Sequence, residues 1–330
     1  MMAKSRENLS AVPRPRIALI DALRGAALAA MFSYHFVWDL GFFDFIPAEI
    51  PMQAGFKTYG NAIASTFLVL VGVSLVLAQG EKLAWRRFFE RLAKIAAAAG
   101  AITLVTLYAF PDDFIFFGIL HCIALASVVA LPFLRAPLWL TLAAAVVVFA
   151  LPLFVASPLL DAPQYWWLGL GTMEPRSNDW RPFLPWFGMV LVGVAFARRA
   201  LADGLPLRVV TWSAAGRASR GLVWGGRHSL LLYLVHQPVF LALLYVAAQL
   251  TGVRPQAEEA PFLRNCESQC VSNGATSAYC TGVCGCIVNE AQSSDLWQRM
   301  LAPTPDPADE ERFRTLTREC ARQERPHDDP

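Results

Sequence analysis

The amino-acid sequence predicts an all-α integral membrane protein, a polytopic bundle of about seven spanning helices with a small C-terminal cysteine-rich helical appendage. Hydrophobic residues make up 55% of the 330-residue chain and charged residues only 16%, which is typical of proteins with several membrane spans. Apolar runs of spanning length recur along the chain, whereas residues 254–330 are polar and rich in cysteine. The predicted spans are 17–37, 62–79, 92–110, 115–134, 138–155, 183–197 and 230–250.

Lysine and arginine in the short loops give the predicted orientation, since these residues concentrate on the cytoplasmic side. Basic clusters lie at 4–16, 82–94 and 198–227 and at Arg135, all on the side of the N-terminus. We therefore predict a bacterial inner-membrane protein with a cytoplasmic N-terminus and a periplasmic tail. The opposite loops are acidic and aromatic, and their tryptophans are expected to form an interfacial belt: Trp166, Trp167, Trp180 and Trp186.

Two segments bear on this topology. The apolar region after the basic N-terminus is too long and too charged for a cleavable signal peptide, so we predict a retained first span. Residues 205–226 mix arginine with valine, leucine and tryptophan. We predict that they form a cytoplasmic interfacial segment. The alternative, an extra short span, would reverse the side of the tail.

Composition divides the chain into a transmembrane domain at 1–253 and a soluble tail at 254–330. Six of the seven cysteines lie in the tail, and an even number in a small polar domain indicates disulfides if the compartment is oxidising. Each Cys-x3-Cys pair would lie on one helix face, so two helices could be stapled side by side. Zinc is the alternative, but many zinc sites use Cys-x2-Cys and we expect no metal. The disulfide candidates are Cys266, Cys270, Cys280, Cys284, Cys286 and Cys320.

The first predicted span carries four ionisable residues, although such groups are costly at membrane depth and normally face a protein interior or a water-filled cavity. Asp21, Arg24, His35 and Asp39 fall on one stripe of a helix with 3.6 residues per turn. His35 and Asp39 are the catalytic candidates, because a carboxylate one turn away can orient an imidazole as a general base. The alternative for this pair is a hydrogen bond that only locks packing.

Asp21 and Arg24 are spaced for an ion pair with a structural role. The functional alternative is that Arg24 faces an anionic group, such as a phosphate, in a passage from the cytoplasm. Such a role would make Arg24 a substrate-binding residue.

Two further spans carry one histidine each, and both histidines are substrate-binding candidates. His121 lies near the start of a helix that enters from the outer side, so it is expected to line the same outer pocket as His35. His236 is expected in the inner half of the last span, at a depth close to Arg24. The three histidines together indicate a polar passage through the bundle.

The outer loop before the span at 183–197 holds the remaining candidates. Asp179 is expected to cap the helix that follows it, or to contact a polar substrate. Trp186 is expected to have a structural role at the membrane interface.

Several blocks of residues in a fixed order resemble the bacterial relatives of heparan-alpha-glucosaminide N-acetyltransferase, and they cover the chain from about residue 14 to 240. The last block is shared more loosely with other membrane acyltransferases. The blocks are Arg16-Ile-x2-Ile-Asp21-x2-Arg24-Gly25, Met31-x2-Tyr34-His35-x2-Trp38-Asp39, Phe117-Gly118-Ile119-Leu120-His121, Pro182-x2-Pro185-Trp186-x-Gly188, and Gly226-Arg227-His228-Ser229-Leu230-x2-Tyr233-Leu234-x-His236-Gln237-Pro238.

The resemblance implies acyl transfer across a membrane, from acetyl-CoA or another acyl-CoA to an amine or hydroxyl of a sugar or envelope glycan. It matches His35 to the active-site histidine of the family. Our hypothesis is that His35, oriented by Asp39, deprotonates the acceptor or transiently takes the acyl group. Arg24 and His236 would receive the negatively charged CoA. The cysteine-rich tail has no counterpart in the family pattern.

Three other functions are consistent with the same residues. A haem or quinone protein could use His35 and His121 as paired axial ligands. A transporter could use the intramembrane polar residues as its site, although the sequence has no duplicated halves. The tail could also be the working part, with the helices as its anchor. Membrane lipids are expected partners, and no basic, aromatic-rich surface indicates nucleic-acid binding.

Overall fold

A computed structural model describes residues 17–47, 49–78, 85–205, 207–251, 259–294, 296–300 and 306–324. Within these ranges every regular element is helical. Outside the described ranges lie the basic N-terminal segment up to Arg16, and also Lys82 and His327. The α-helices are α1 (Ala18–Phe42), α2 (Ala54–Ala78), α3 (Trp85–Ala109), α4 (Ile119–Val129), α5 (Leu138–Val155), α6 (Phe183–Ala202), α7 (Leu207–Thr211), α8 (Arg217–Arg227), α9 (Ser229–Thr251), α10 (Glu259–Ser272), α11 (Ser277–Ser293), α12 (Leu296–Met300) and α13 (Pro307–Gln323).

Each of the seven predicted spans contains a helix, and the all-helical membrane fold is confirmed. Five described helices, α2, α3, α5, α6 and α9, are long and apolar enough to cross a membrane. Helix α1 has 25 residues, which at 1.5 Å per residue also exceeds the roughly 30 Å hydrocarbon thickness. It differs from those five because of the charges on its polar stripe.

The span predicted at 115–134 is wrong in its length. Helix α4 has only 11 residues, or about 16 Å, and a short 3-10 turn at Pro132–Leu134 follows it. Proline cannot donate the backbone hydrogen bond that would continue the helix, so the apolar run breaks there. Apolar composition alone did not reveal this break.

Large apolar side chains cover the outer surface of the spanning helices. Leu153 and Phe154 on α5 are 80% and 84% exposed, and Leu250 on α9 is 82% exposed. A soluble protein rarely exposes so large an apolar surface, whereas lipid is a favourable solvent for it. The exposed pattern therefore supports membrane embedding.

The core of the bundle lies where α2, α4 and α6 meet. Leu68 on α2, Cys122 on α4, and Val190 and Leu191 on α6 are fully buried there. Glycines allow the α2 and α6 backbones to touch: a Cβ at Gly72 would collide with the Val190 carbonyl oxygen, as one at Gly193 would with that of Val69. Such small-residue contacts are typical of membrane helix pairs, which associate through close packing.

The segment at 205–226 contains two short helices, α7 with five residues and α8 with eleven. Neither reaches the length that a membrane span needs. No described helix of this segment therefore forms the extra span that was the alternative. The interfacial position of this segment stays a prediction.

The chain forms two compact units. The first comprises Met1–Trp38 and Pro51–Ala242, and contains the α2, α4 and α6 core. The second comprises Asp39–Ile50 and Leu243–Pro330. The domain boundary predicted at residue 253 stays a prediction.

Three disulfides hold the helices of the tail together. Cys266–Cys284 and Cys270–Cys280 join α10 to α11, as the two Cys-x3-Cys spacings suggested, and Cys286–Cys320 joins α11 to α13. A small apolar core lies beside them, with Val288, Ala291 and Trp297 buried. All six cysteines predicted to form disulfides are therefore paired, and Cys122 is buried as a free thiol.

The α2–α6 contact gives a direct test of the fold. We expect Gly72→Ala to lower the free energy of unfolding by about 1–3 kcal/mol, because the added methyl forces the two backbones apart. Thermal unfolding in detergent would measure this loss. The matched control is Gly100→Ala on α3, where an added Cβ meets nothing within 4 Å. Equal unfolding temperatures for the two variants would contradict the proposed contact.

Candidate active site

The polar stripe of α1 faces protein rather than lipid. Asp21 is 1% exposed and Asp39 is 0% exposed, as expected for ionisable groups at membrane depth. Arg24 and His35 on the same stripe are half-buried. Asp39 follows His35 by one helical turn, and its predicted role in orienting the imidazole stays a prediction.

An ion-pair network surrounds the Asp21 carboxylate at one end of α1. Arg24 Nη1 lies 3.2 Å from Asp21 Oδ1, and Arg227 Nε on α8 lies 3.3 Å from Asp21 Oδ2. Arg24 Nη2 also donates a hydrogen bond to Ser74 Oγ on α2. The ion pair predicted between Asp21 and Arg24 is therefore present. The sequence did not reveal that it also joins α1 to α2 and α8.

Two glycines bring α8 against α1 beside this network. A Cβ at Gly25 would collide with the carbonyl group of Leu222, and one at Gly226 with the carbonyl oxygen of Asp21. The two helix backbones are therefore in direct contact, as only glycine permits. This contact places Arg227, the next residue, within reach of Asp21.

A third arginine belongs to the same region. Arg91 on α3 is half-buried, and the charge of Arg24 acts on it. Arg24 and Arg227 thus contact one buried carboxylate and Arg91 lies within electrostatic range of Arg24, so the described part of this region carries an excess of positive charge. Such an excess favours the binding of an anion.

The second cluster of the site lies further along α1, where the rings of His35 and His236 are 5.0 Å apart between centroids. The sequence-based placement of His236 at the depth of Arg24 is wrong. Helix α9 runs beside α1 in a fixed register, with Leu232 packed in the cluster of Leu28 and the His236 ring stacked 5.2 Å from that of Phe32. His236 therefore lies at the level of Phe32 and His35 on α1 rather than at the level of Arg24.

Aromatic rings enclose the two imidazoles. Phe240 contacts His236 edge-on at 5.9 Å, and Tyr34 contacts His35 at 5.4 Å while it stacks on Phe56 of α2. These contacts join α1, α2 and α9 around one pair of histidines. The two imidazoles therefore lie among aromatic side chains of three helices.

The loop between α5 and α6 carries an Arg–Asp pair that acts on this cluster. The charges of Asp179 and Arg181 both act on Tyr34 and Tyr233, and that of Arg181 also acts on His35. Arg181 Nε lies 3.7 Å from Asp179 Oδ1, and its guanidinium lies 5.3 Å from the centre of the Trp186 ring. Trp186 thus holds this arginine by a cation–π contact.

Asp179 caps a helix, but not the one expected from its position. The backbone N–H of Ile119 at the start of α4 donates to Asp179 Oδ2 at 2.8 Å, whereas the residue that precedes α6 is Pro182. The loop reaches α4 because Arg181 N–H and Asn178 N–H donate to the carbonyl oxygens of Phe117 and Asp113. Capping by a residue distant in sequence leaves no local signal.

The same loop is fixed at its other end by Asp161. Thr172 donates to this carboxylate from its backbone and its hydroxyl, each at 2.6 Å, and Met173 N–H donates at 3.1 Å. The hydroxyl of Thr172 and these backbone donors lower the pKa of Asp161. Trp166 Nε1 donates to the Asp161 carbonyl oxygen, and Trp180 Nε1 to that of Trp166. These indoles therefore stabilise the loop. Their membrane-interface role stays a prediction.

His121 lines an apolar cavity of about 420 Å³ between α3 and α4, together with Ala99, Phe117 and Trp167. Its predicted place in the pocket of His35 stays a prediction. Its Nδ1 accepts a hydrogen bond from Gly118 N–H, and its Nε2 lies 3.2 Å from Thr103 Oγ1. Both ring nitrogens are thus engaged in holding the start of α4.

Comparison with protein families supplies independent evidence. The model of the catalytic domain of heparan-alpha-glucosaminide N-acetyltransferase matches residues 16–238, which include both histidines and the arginine network. No curated protein and no solved structure matches the chain. Among the described residues, no group of three histidine, cysteine or acidic side chains is arranged to hold a metal ion.

Asp179 offers a test of the loop geometry. We expect Asp179→Ala to lower the free energy of unfolding by about 0.5–2 kcal/mol, because α4 loses its cap. Asp179→Asn should recover most of this loss, since an amide oxygen also accepts the Ile119 hydrogen bond. Thermal unfolding of the three proteins would show the order. An Asn variant as unstable as the Ala variant would mean that the charge opposite Arg181 is what matters.

Proposed function

The chain belongs to the heparan-alpha-glucosaminide N-acetyltransferase catalytic family, and we propose that it transfers an acetyl group from acetyl-CoA to an amine or hydroxyl of a sugar. The observation that carries this proposal is the His35–His236 pair, which lies within the matched residues. Family membership favours this reaction over haem binding, quinone binding or transport. An envelope glycan is the proposed natural acceptor.

The arginine network supports the use of acetyl-CoA as donor. Arg24 and Arg227 contact the Asp21 carboxylate, and Arg91 lies within electrostatic range of Arg24. Guanidinium groups bind phosphates through charge-assisted hydrogen bonds. Arg24 precedes His35 by about 16 Å along α1. The long pantetheine arm of CoA can bridge such a distance, with its phosphates at the arginines and its thioester at the histidines.

The histidine pair supports the chemistry of transfer. Acyl transfer needs a group that removes a proton from the acceptor, and a nucleophile that takes the acyl group can divide the reaction into two easier steps. His35 is the residue that we propose for this chemistry, with Asp39 to orient it. The enclosing rings of Phe32, Phe240 and Tyr34 exclude water from the thioester.

The distribution of basic residues in the loops supports an orientation of the site across the membrane. We propose that the arginine network opens to the cytoplasm, where acetyl-CoA is made, and that the loop with Asp179 and Arg181 faces the periplasm of a bacterial inner membrane. Basic residues of short loops mark the cytoplasmic side. The disulfides of the tail agree with a periplasmic location, because thiols there are oxidised.

His35 provides the main test of this function. Purified protein in lipid nanodiscs, supplied with radiolabelled acetyl-CoA and glucosamine, should release labelled N-acetylglucosamine. His35→Ala should lower the turnover number by at least about 100-fold, which is the usual contribution of such a group. The matched control is His228→Ala, an exposed histidine that contacts Trp224. Full activity of the His35 variant, at an unchanged melting temperature, would remove this residue from the reaction.

Arg91 tests the donor site separately. We expect Arg91→Gln to raise the KM for acetyl-CoA by about tenfold with little change in turnover number, because one charged contact to a phosphate is lost. Arg87→Gln, on an exposed turn of the same helix, is the control. Acetyl-pantetheine, which lacks the nucleotide phosphates, should be used equally well by both variants. A tenfold loss with that donor as well would contradict a phosphate contact.

A further inference from the structure

A hydrogen bond within α9 fixes which ring nitrogen of His236 carries the proton. Its Nδ1 lies 2.7 Å from the carbonyl oxygen of Tyr233, one turn earlier on α9. A carbonyl oxygen can only accept a hydrogen bond, so Nδ1 must carry the proton. A neutral imidazole with its proton on Nδ1 has its free lone pair on Nε2.

That lone pair is buried and unused within the described part of the chain. His236 is only 8% exposed, and its Nε2 has no hydrogen-bond partner among the described residues. Buried polar atoms without partners are rare, because they have lost their hydrogen bonds to water without replacement. An exception beside another imidazole calls for a functional explanation.

The hydrogen bonds of His121 contrast with those of His236. His121 accepts a hydrogen bond at Nδ1 from Gly118 N–H, so its proton is on Nε2, which donates to Thr103 Oγ1. Both nitrogens of His121 are therefore satisfied, as in a structural histidine. His236 has one nitrogen satisfied by its own helix and the other available as a base.

The surroundings of His236 hold its ring in place. Phe32 stacks on one side at 5.2 Å, and Phe240 meets the imidazole edge-on. His35 lies next to the same ring at 5.0 Å. A nucleophile and a base in the same small pocket can therefore act on one acyl group and one acceptor.

We propose that His236 is a catalytic base, which takes the proton of the acceptor at Nε2, while His35 carries the acetyl group. This inference rests on the proposed function and divides its two chemical tasks between two residues. It also replaces the CoA-binding role that the sequence suggested for His236.

The reaction balances in two steps. A ring nitrogen of neutral His35 attacks the carbonyl carbon of acetyl-CoA, the new N–C bond forms, and the C–S bond breaks to release CoA as a thiolate. The amine or hydroxyl of the sugar then attacks the same carbon, its proton passes to His236 Nε2, and the bond to His35 breaks with its electron pair returning to the ring. The proton on His236 finally passes to the CoA thiolate, which restores both histidines.

The experiment separates the two steps in the full chain in nanodiscs. His236→Ala is mixed with radiolabelled acetyl-CoA and glucosamine, quenched rapidly, and digested for mass spectrometry of the peptide that contains His35. We expect acetylated His35 to accumulate with one equivalent of CoA released, while transfer to glucosamine falls by at least about 100-fold. Added imidazole should enter the space left by the side chain and restore transfer by at least about tenfold.

His228→Ala is the matched control, because the same side chain is removed from an exposed position. It should neither accumulate acetylated His35 nor respond to imidazole. Near-normal transfer by His236→Ala would overturn the inference, as would lost transfer with no acetylated His35 and no imidazole rescue. These outcomes leave the proposed function intact when the unsubstituted protein acetylates glucosamine. If the unsubstituted protein does not use acetyl-CoA, both proposals fail together.

Discussion

The burial of the Asp21 carboxylate is the constraint on which the site depends. A charge inside an apolar bundle must be paired, and removal of one partner of a buried pair typically costs about 3–5 kcal/mol. Asp21 finds its partners in Arg24 on its own helix and Arg227 on α8. The second partner can reach it because Gly25 and Gly226 allow the two backbones to touch. One ion pair and two glycines thus fix the register between α1 and the α8–α9 segment.

That register decides which residues form the site. Once α8 is held against the start of α1, α9 runs beside it, and Leu232 packs with Leu28, His236 with Phe32, and Phe240 with Phe36. His236 then lies next to His35. The structural network and the proposed chemistry therefore belong to one arrangement, in which the same arginines that lock the helices also form the basic region proposed for the donor.

Asp179 and His121 have a structural role in the bundle. Asp179 and His121 use their polar atoms to hold the start of α4, which is short and lacks a cap of its own. The outer loop is thereby anchored, with Arg181 held over Trp186. In the tail, disulfides supply stability that larger domains gain from an apolar core. A small domain buries too little apolar surface to be stable without them.

The sequence by itself determined the helical membrane class, the approximate position of the seven apolar segments, the buried stripe of α1, and the presence of disulfides in the tail, but not which cysteine pairs with which. Hydrophobic length and helical periodicity are local properties, so they can be counted along the chain. Only the tertiary structure decided the short α4, the cap by Asp179, and the meeting of His35 with His236. The meeting of the two histidines depends on how α8 and α9 pack along α1, and that packing follows from backbone contacts at glycines and from an ion pair between residues 206 positions apart. Such contacts are set when the helices pack, and no periodicity in the chain records them.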